Sequence, residues 1–207
     1  MAVRPTGWVA VAVAVAVGVS ARVAGATSAV AVPPANGEAM NKLVRLIDHR
    51  LWDEGDARRA LDAAALSRLA ARVAQSETHH SGEIRLCVEP GLPLSYIWRH
   101  ATARERAVAL FGKLGVWDTA HNNGVLIYLL LAERRIEIVA DRGLNALVSA
   151  DEWAAVAASM AEAFAGRQFE AGLLHAIETV DALLVRHYAV ASGEANPNEL
   201  PDEPVLL

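Results

Sequence analysis

Apolar and polar residues alternate in the segment "EIRLCVE", which covers residues 83–89. Ile84, Leu86 and Val88 fall on one side of this segment. The other side carries Glu83, Arg85, Cys87 and Glu89. A period of two residues is typical of a β-strand, so the pattern predicts a strand with one face on the core.

Two more strands are predicted farther along the chain. Val125–Leu131 is apolar throughout, short and bounded by turn residues. It therefore predicts a central strand that is covered on both faces rather than a helix. Ile136–Ala140 predicts the next strand, and the short segment between the two predicts an antiparallel hairpin.

The hairpin also predicts a register between its two strands. A tight turn centred on residues 133 and 134 pairs Leu131 with Ile136. Counting back along both strands, Gly124 then faces Gly143. The polar segments that flank the hairpin strands, residues 118–123 and 141–142, should consequently meet at one end of the sheet.

Helix signals occur between and after the strands. Asp62 can cap one helix, and Thr102-x-x-Glu105 and Ser149-x-x-Glu152 are capping boxes. Apolar residues follow these starts at helical spacing: Leu66, Leu69 and Val73; Ala107, Leu110, Phe111 and Leu114; Trp153, Val156, Met160 and Phe164. Residues 41–60 predict a peripheral helix with Leu51 and Trp52 as anchors, and a last helix carries Leu173, Ala176, Ile177, Val180 and Leu184.

The order of these elements predicts the fold class. Strands one and two are separated by a helix and can be parallel, whereas strands two and three form the hairpin. A three-layer α/β/α sandwich, with a small mixed sheet and helices on both faces, buries the apolar faces of strands and helices alike.

The two ends of the chain differ from its middle. Residues 1–39 contain an apolar stretch, Trp8–Val19, and a small-residue triplet at residues 24–26. We interpret them as a signal peptide, a membrane anchor or, if translation starts at Met40, a mis-called extension. The protein is exported or anchored in the first two cases and cytoplasmic in the third. Residues 40–190 form the predicted domain, and residues 191–207 a Pro-rich acidic tail, expected to be extended.

The net charge and the cysteine content limit the classes of partner and crosslink that the chain can have. The chain has 207 residues and a net charge of −5, and the two ends account for all but −2 of it. A near-neutral domain without a basic patch argues against nucleic acid as a partner. The single cysteine, Cys87, excludes an internal disulfide and is interpreted as a structural thiol.

The predicted meeting point of the flanking segments is the candidate site. It gathers Asp118, His121, Asn122, Asn123 and Asp141, with Arg142 beside them. Carboxylate and carboxamide oxygens are the ligands that calcium and magnesium prefer. The guanidinium of Arg142 can hold a phosphate. The alternative is ordinary loop chemistry, in which Asn and Asp cap turns and the Asp-Arg pair lies on the surface.

The segment "ALFGKLGVWDTAHNNGVLIYLLLAERRIEIVADRGLN", together with "GEIRLCVE", resembles the TPM domain family from about residue 61 to 188. The family includes a thylakoid-lumen acid phosphatase-like protein and many bacterial proteins. The resemblance implies an α/β sandwich, weak phosphatase activity and calcium in an acidic groove.

Position by position, the resemblance implies that Asp118, Asn122, Asn123 and Asp141 bind a divalent cation and that Arg142 binds phosphate. One departure weakens this set of ligands. Many relatives have Glu where this chain has Asn145, although Asp151 lies nearby in the sequence.

Two functions therefore remain open. The first is a metal-assisted phosphatase acting on phosphate monoesters. The second is a non-catalytic module of the same fold, which binds a cation or a peptide in envelope protein maintenance or assembly. The partner is then an unidentified protein or phosphate ester, and the N-terminus can bring the chain to a membrane. The remaining candidates, His79–His80 and Ser149, are interpreted as a solvated turn at a helix end and as a helix cap.

Overall fold

A computed structural model gives the structure of the protein and describes residues 11–15, 42–164, 168–191 and 196–207. The strands are β1 (Val11–Val15), β2 (Ile84–Glu89), β3 (Val125–Leu130), β4 (Arg135–Ala140) and β5 (Val205–Leu206). The helices are α1 (Lys42–Leu51), α2 (Glu54–Ala60), α3 (Ala63–Ser76), α4 (Leu94–Trp98), α5 (Ala103–Lys113), α6 (Arg142–Leu147), α7 (Ala150–Phe164) and α8 (Phe169–Tyr188).

The strands form one mixed sheet in the order β1-β4-β3-β2-β5. β3 and β4 are antiparallel, and every other neighbouring pair is parallel. Both the parallel pairing of β2 with β3 and the hairpin of β3 with β4 were predicted. The predicted boundary at residue 39 stays a prediction, since only Val11–Val15 of that segment lies within the described residues.

Helices cover both faces of this sheet, as predicted for a three-layer α/β/α sandwich. One face packs against α2, α3, α6, α7 and α8, and its core includes Leu69, Ile127, Ile138, Ile177 and Leu184. The other face packs against α4 and α5, and its core includes Ile97, Leu110, Phe111, Tyr128 and Leu130. β3 lies in the middle of the sheet, and all six of its residues are buried.

The predicted hairpin register is wrong by two residues. Leu130 pairs with Arg135 and Val125 with Ala140, so that the loop comprises residues 131–134. The loop closes one residue earlier than expected because the amide of Arg134, in a left-handed conformation, donates to the carbonyl of Leu131. A slip of two residues keeps every side chain on its predicted face.

The predicted peripheral helix is two helices. Asp53 interrupts it by accepting a hydrogen bond from the amide of Asp56 and starting α2 with a capping box. Trp52 packs against the core, as predicted, but Leu51 is 58% exposed and does not act as an anchor.

The strand β2 has two covered faces instead of the single one predicted. The C-terminal tail runs along it, with Val205–Leu206 forming the edge strand β5. Arg85 donates to the carbonyls of Pro201 and Glu203 in this tail, and Glu89 lies under α5. The polar side of β2 is therefore paired with polar groups rather than with solvent.

In the described part of the chain, every helix falls short of the length and apolarity that a bilayer crossing requires.

Candidate functional site

The loop at residues 118–123 is shaped by its own backbone bonds. The amide of Asn122 donates to the carbonyl of Thr119, and that of Asn123 to the Thr119 hydroxyl. Asn122 adopts a left-handed conformation, with φ of 53°, which Asn tolerates better than most residues. The loop thus reverses the chain between α5 and β3.

Two glycines allow this loop to lie against its neighbours. A Cβ atom on Gly124 would lie 2.0 Å from the carbonyl oxygen of Val116. A Cβ atom on Gly143 would lie 2.5 Å from the carbonyl oxygen of Asn122 and 2.6 Å from that of His121. Backbone fills both places, so any larger residue would have to displace the main chain.

The loop and the end of β4 meet, as predicted. The amide of Gly143 donates to the carbonyl of Asn122 at 2.9 Å. The amide of Asp141 donates to the carbonyl of Gly124, also at 2.9 Å. The Arg142 guanidinium donates through Nε to Oδ1 of Asn122 at 3.0 Å. This convergence holds even though the predicted register was shifted, because both strands end within two residues of the same point.

Asn123 and Asp141 are the buried members of the site. Asn123 is fully buried, and its Nδ2 donates to the carbonyl and hydroxyl oxygens of Ser81. Asp141 is 5% exposed, and its Oδ1 accepts a hydrogen bond from the Arg142 amide at 2.6 Å. Asn123 Oδ1 and Asp141 Oδ2 are both buried and have no hydrogen-bond partner among the described residues. Burying an acceptor oxygen without a donor costs free energy, and a ligand bound to these two oxygens would remove that cost.

Burial raises the pKa of Asp141, and the hydrogen bond and charge of Arg142 lower it less than burial raises it. Tyr188 lies close by, its hydroxyl oxygen 2.8 Å from the point where a Cβ of Gly143 would be. Burial raises the pKa of Tyr188, and the charge of Asp141 raises it further. A negative charge on Asp141 is therefore poorly compensated.

The other predicted site residues lie at the surface. Asp118, His121 and Arg142 are exposed. The Asp118 and His121 side chains make no hydrogen bond or ion pair to another described residue. Asn145 is partly buried on α6, and Asp151 is exposed in the first turn of α7. Within the described residues, no group of three or more His, Cys, Asp or Glu side chains could hold a metal. A cation here would depend on one buried carboxylate and on amide oxygens.

Sequence analysis missed two residues of the site, Ser81 and Tyr188, and the helix α6. Ser81 lies 42 positions from the Asn123 that it binds, and Tyr188 arrives from the end of α8. Such long-range contacts leave no local pattern. No helix was predicted directly after β4, but Asp141, a predicted cation ligand, is the N-cap of α6. An acid followed by Arg-Gly-Leu-Asn is a weak start signal for so short a helix.

Of the remaining candidates, Cys87 and Ser149 behave as interpreted and His80 does not. Burial raises the pKa of the Cys87 thiol to about 12, and its side chain is fully buried. Ser149 caps α7 through a reciprocal bond with Glu152. His79 is exposed in the turn after α3, but the predicted solvated turn is wrong for His80, which is fully buried beside Asp181 at 3.4 Å.

Comparison with known proteins finds a solved structure and a protein family that share this architecture. A solved structure, the NMR structure of the BA42 protein from the psychrophilic bacterium Bizionia argentinensis, matches with a TM-score of 0.62 and 26% sequence identity. The match covers 70% of this chain and 94% of the BA42 chain. A search of curated proteins gave no match. The family model for the TPM domain matches residues 55–183, which extend from α2 into α8 and include every residue of the candidate site except Tyr188. The chain therefore belongs to the TPM domain family.

Proposed function

We propose that this TPM domain binds a divalent cation at the end of β3 and β4, with Asp141 and Asn123 as its inner ligands. The observation that carries the proposal is a pair of buried oxygens, Asp141 Oδ2 and Asn123 Oδ1, for which the described part of the chain supplies no hydrogen-bond partner. Both belong to side chains whose other polar atom is held by a hydrogen bond, which fixes their orientation. A cation would relieve the desolvation of both oxygens.

Calcium fits this set of ligands better than zinc does. The groups are one carboxylate and neutral oxygens, and calcium accepts such ligands in irregular geometry and completes its shell with water. Asp118 is exposed on the same loop and would provide a second charge from the solvent side. Asn122 would contribute its Oδ1 only after Arg142 Nε releases it.

A calcium titration of chelator-treated protein tests this proposal. We expect heat of binding in calorimetry and a rise in melting temperature, about 2.7 kcal/mol of added stability at a hundredfold excess over Kd. Asp141→Asn should abolish most of that rise, because Asn can still accept the bond from the Arg142 amide but carries no charge. Glu178→Gln, at an exposed position of α8, is the matched control and should respond like the wild type. A flat melting curve would refute calcium binding.

Phosphatase activity is the second candidate, and the exposed guanidinium of Arg142 beside the site favours it. One of its N–H groups is bonded to Asn122, which leaves the others free to bind phosphoryl oxygens. The cation, when bound, would polarise the phosphate. We expect calcium-dependent hydrolysis of a generic phosphate monoester that Arg142→Gln lowers at least tenfold. If calcium binds and no turnover is detected, the result would assign the domain to the alternative function, a non-catalytic binding module.

The place of action belongs to the same proposal. We propose export through the apolar N-terminus, for which Val11–Val15 would have to leave its place beside β4, so that the module serves envelope protein maintenance or assembly. Fractionation of cells that express the full chain tests this, because a product found only in the cytoplasm would contradict it.

A further inference from the structure

Four large apolar side chains are exposed on two helices that contact each other, α1 and α4. Ile47 and Leu51 are 49% and 58% exposed, and Leu94 and Trp98 are 53% and 78% exposed. Each pair is separated by four positions and so lies on one side of its helix. We call these four residues the α1–α4 patch. It is remote in sequence from the candidate cation site and shares no residue with it.

The two helices are firmly held beneath this patch. His49, on α1, is 3% exposed, and its Nδ1 accepts a hydrogen bond from the amide of Leu92 at 3.0 Å. A Cβ on Gly91 would lie 2.5 Å from the His49 carbonyl, so that α1 rests directly on the segment leading into α4. Arg45 anchors α1 to the hairpin through Glu133 at 2.7 Å. The patch is therefore a preformed surface.

Charge distinguishes this surface from the rest of the chain. α1 and residues 94–100 together contain four basic residues, Lys42, Arg45, Arg50 and Arg99, and one acid, Asp48, whereas the whole chain has a net charge of −5. Arg45 is neutralised by Glu133 and adds no charge to this surface. Arg50 and Arg99 are exposed next to the apolar side chains, and Arg99 stacks over the ring of Tyr96 at 4.3 Å. The neighbouring acids Asp53 and Glu54 are engaged by the start of α2 and by Arg58. A third acid, Glu105, lies near Arg99 and accepts hydrogen bonds from the amide and hydroxyl of Thr102.

We propose that the α1–α4 patch is a docking surface for an anionic lipid bilayer. Trp and Leu side chains flanked by Arg are the composition that lies in the interface between headgroups and acyl chains. The apolar side chains would enter the acyl boundary, and Arg50 and Arg99 would pair with lipid phosphates. Repulsion between the acidic remainder of the chain and the bilayer falls off within a Debye length, roughly 8 Å at physiological salt. The local charge of the patch therefore determines whether anionic lipid attracts it.

The test uses the full chain and vesicles of phosphatidylcholine alone or mixed with phosphatidylglycerol. We expect co-sedimentation with the mixed vesicles, weaker binding to the neutral ones, and a loss at high salt. Trp98→Ala and Leu51→Ser should each weaken partitioning into the mixed vesicles about tenfold, since each removes one buried apolar side chain from the bilayer. Arg99→Gln should weaken partitioning into the mixed vesicles and leave partitioning into the neutral vesicles unchanged.

Matched controls exist elsewhere on the surface. Trp117 is 55% exposed and Leu147 is 50% exposed, and neither is on α1 or α4. Trp117→Ala and Leu147→Ser should therefore partition like the wild type. All variants share the N-terminal segment, so a difference between them reports on the patch. Equal binding by all of them, equal binding to both vesicles, or no binding would overturn the proposal. Concentration-dependent dimerisation that Trp98→Ala abolishes would overturn it too, by assigning the patch to a second copy of the chain.

Discussion

Replacing Glu77 by Gln should make the protein more stable in alkaline solution, because Glu77 is a carboxyl group that the fold keeps protonated. Glu77 lies at the end of α3, is 8% exposed, and accepts a hydrogen bond from the amide of Ile84 at 2.8 Å. Burial raises its pKa to about 8, against the lowering effect of the Ile84 bond, and the charges of Glu83 and Asp202 raise it further.

The sign follows from comparing the folded and unfolded chains. The unfolded carboxyl has a pKa of 4.5, and the folded one a pKa of about 8. Between these values the unfolded chain releases its proton while the folded chain retains it, so the free energy of unfolding falls as pH rises. The protonated Glu77 therefore contributes its full stabilisation below pH 4.5, and this contribution is lost as the pH rises through about 8.

The magnitude follows from the same two values. At 1.36 kcal/mol for each pKa unit, the interval of roughly 3.5 units corresponds to at most about 4.8 kcal/mol. Water and movement of the C-terminal tail would relieve part of this cost, so we expect about 2–4 kcal/mol. That corresponds to a gain of about 5–15 °C in melting temperature for the Gln variant at about pH 9. Gln keeps the acceptor for Ile84, so the two proteins should differ little at about pH 5.

Thermal unfolding of wild type and Glu77→Gln across this pH range measures the effect. Glu54→Gln is the control, since Glu54 is an exposed acid paired with Arg58, and its profile should run parallel to that of the wild type. The reasoning is refuted if Glu77→Gln shows the same pH dependence as the wild type, or if it is less stable than the wild type at about pH 9. Either result would mean that Glu77 is ionised in the folded protein.

Three further substitutions test the packing, each by denaturant unfolding. Gly143→Ala should cost about 3 kcal/mol or more, because its Cβ would meet two backbone carbonyls at 2.5 and 2.6 Å, and a change under half that size would show that the loop yields easily. Tyr128→Phe should cost about 1–3 kcal/mol, because the hydroxyl donates to the buried Glu89 at 2.7 Å, and a neutral effect would show that Arg106 alone satisfies that carboxylate. Ile127→Ala should cost about 2–5 kcal/mol as a deletion in the central strand, and a smaller loss than half a unit would contradict its full burial.

The sequence predicted the fold well wherever one element carries its own signal. β3 is apolar on both faces because helices cover both, and the capping boxes at Thr102 and Ser149 form as expected. Each of these patterns depends on residues within a few positions of one another. The hairpin register failed by two residues because the position of the loop depends on Arg134 adopting a left-handed conformation, which nothing in the flanking alternation dictates.

The polar interior is what local patterns could not reveal. Glu89 is 4% exposed and binds Arg106 through both carboxylate oxygens, at 2.9 and 2.6 Å, while Tyr128 donates to it from the neighbouring strand. The three residues come from β2, α5 and β3. In the sequence Glu89 occurs as the polar position of an alternating strand, which predicts a solvent-facing side chain. Only the pairing of β2 with β3 beneath α5 shows that the acid is enclosed and compensated.

The candidate site shows the same division between what a motif and a structure can establish. The residues that carried the family resemblance have packing reasons to be what they are. Asn122 has a left-handed backbone, and Gly124 and Gly143 lie against carbonyl oxygens. This fold needs those residue types with or without a cation, so the Asn-Asn-Gly segment alone does not argue for chemistry. A cation is favoured instead by Asp141 Oδ2 and Asn123 Oδ1, which lie buried with no partner in the part of the chain that the structure describes. Asp141→Asn is for that reason the decisive substitution, since it keeps the cap of α6 and removes only the charge that a cation would use.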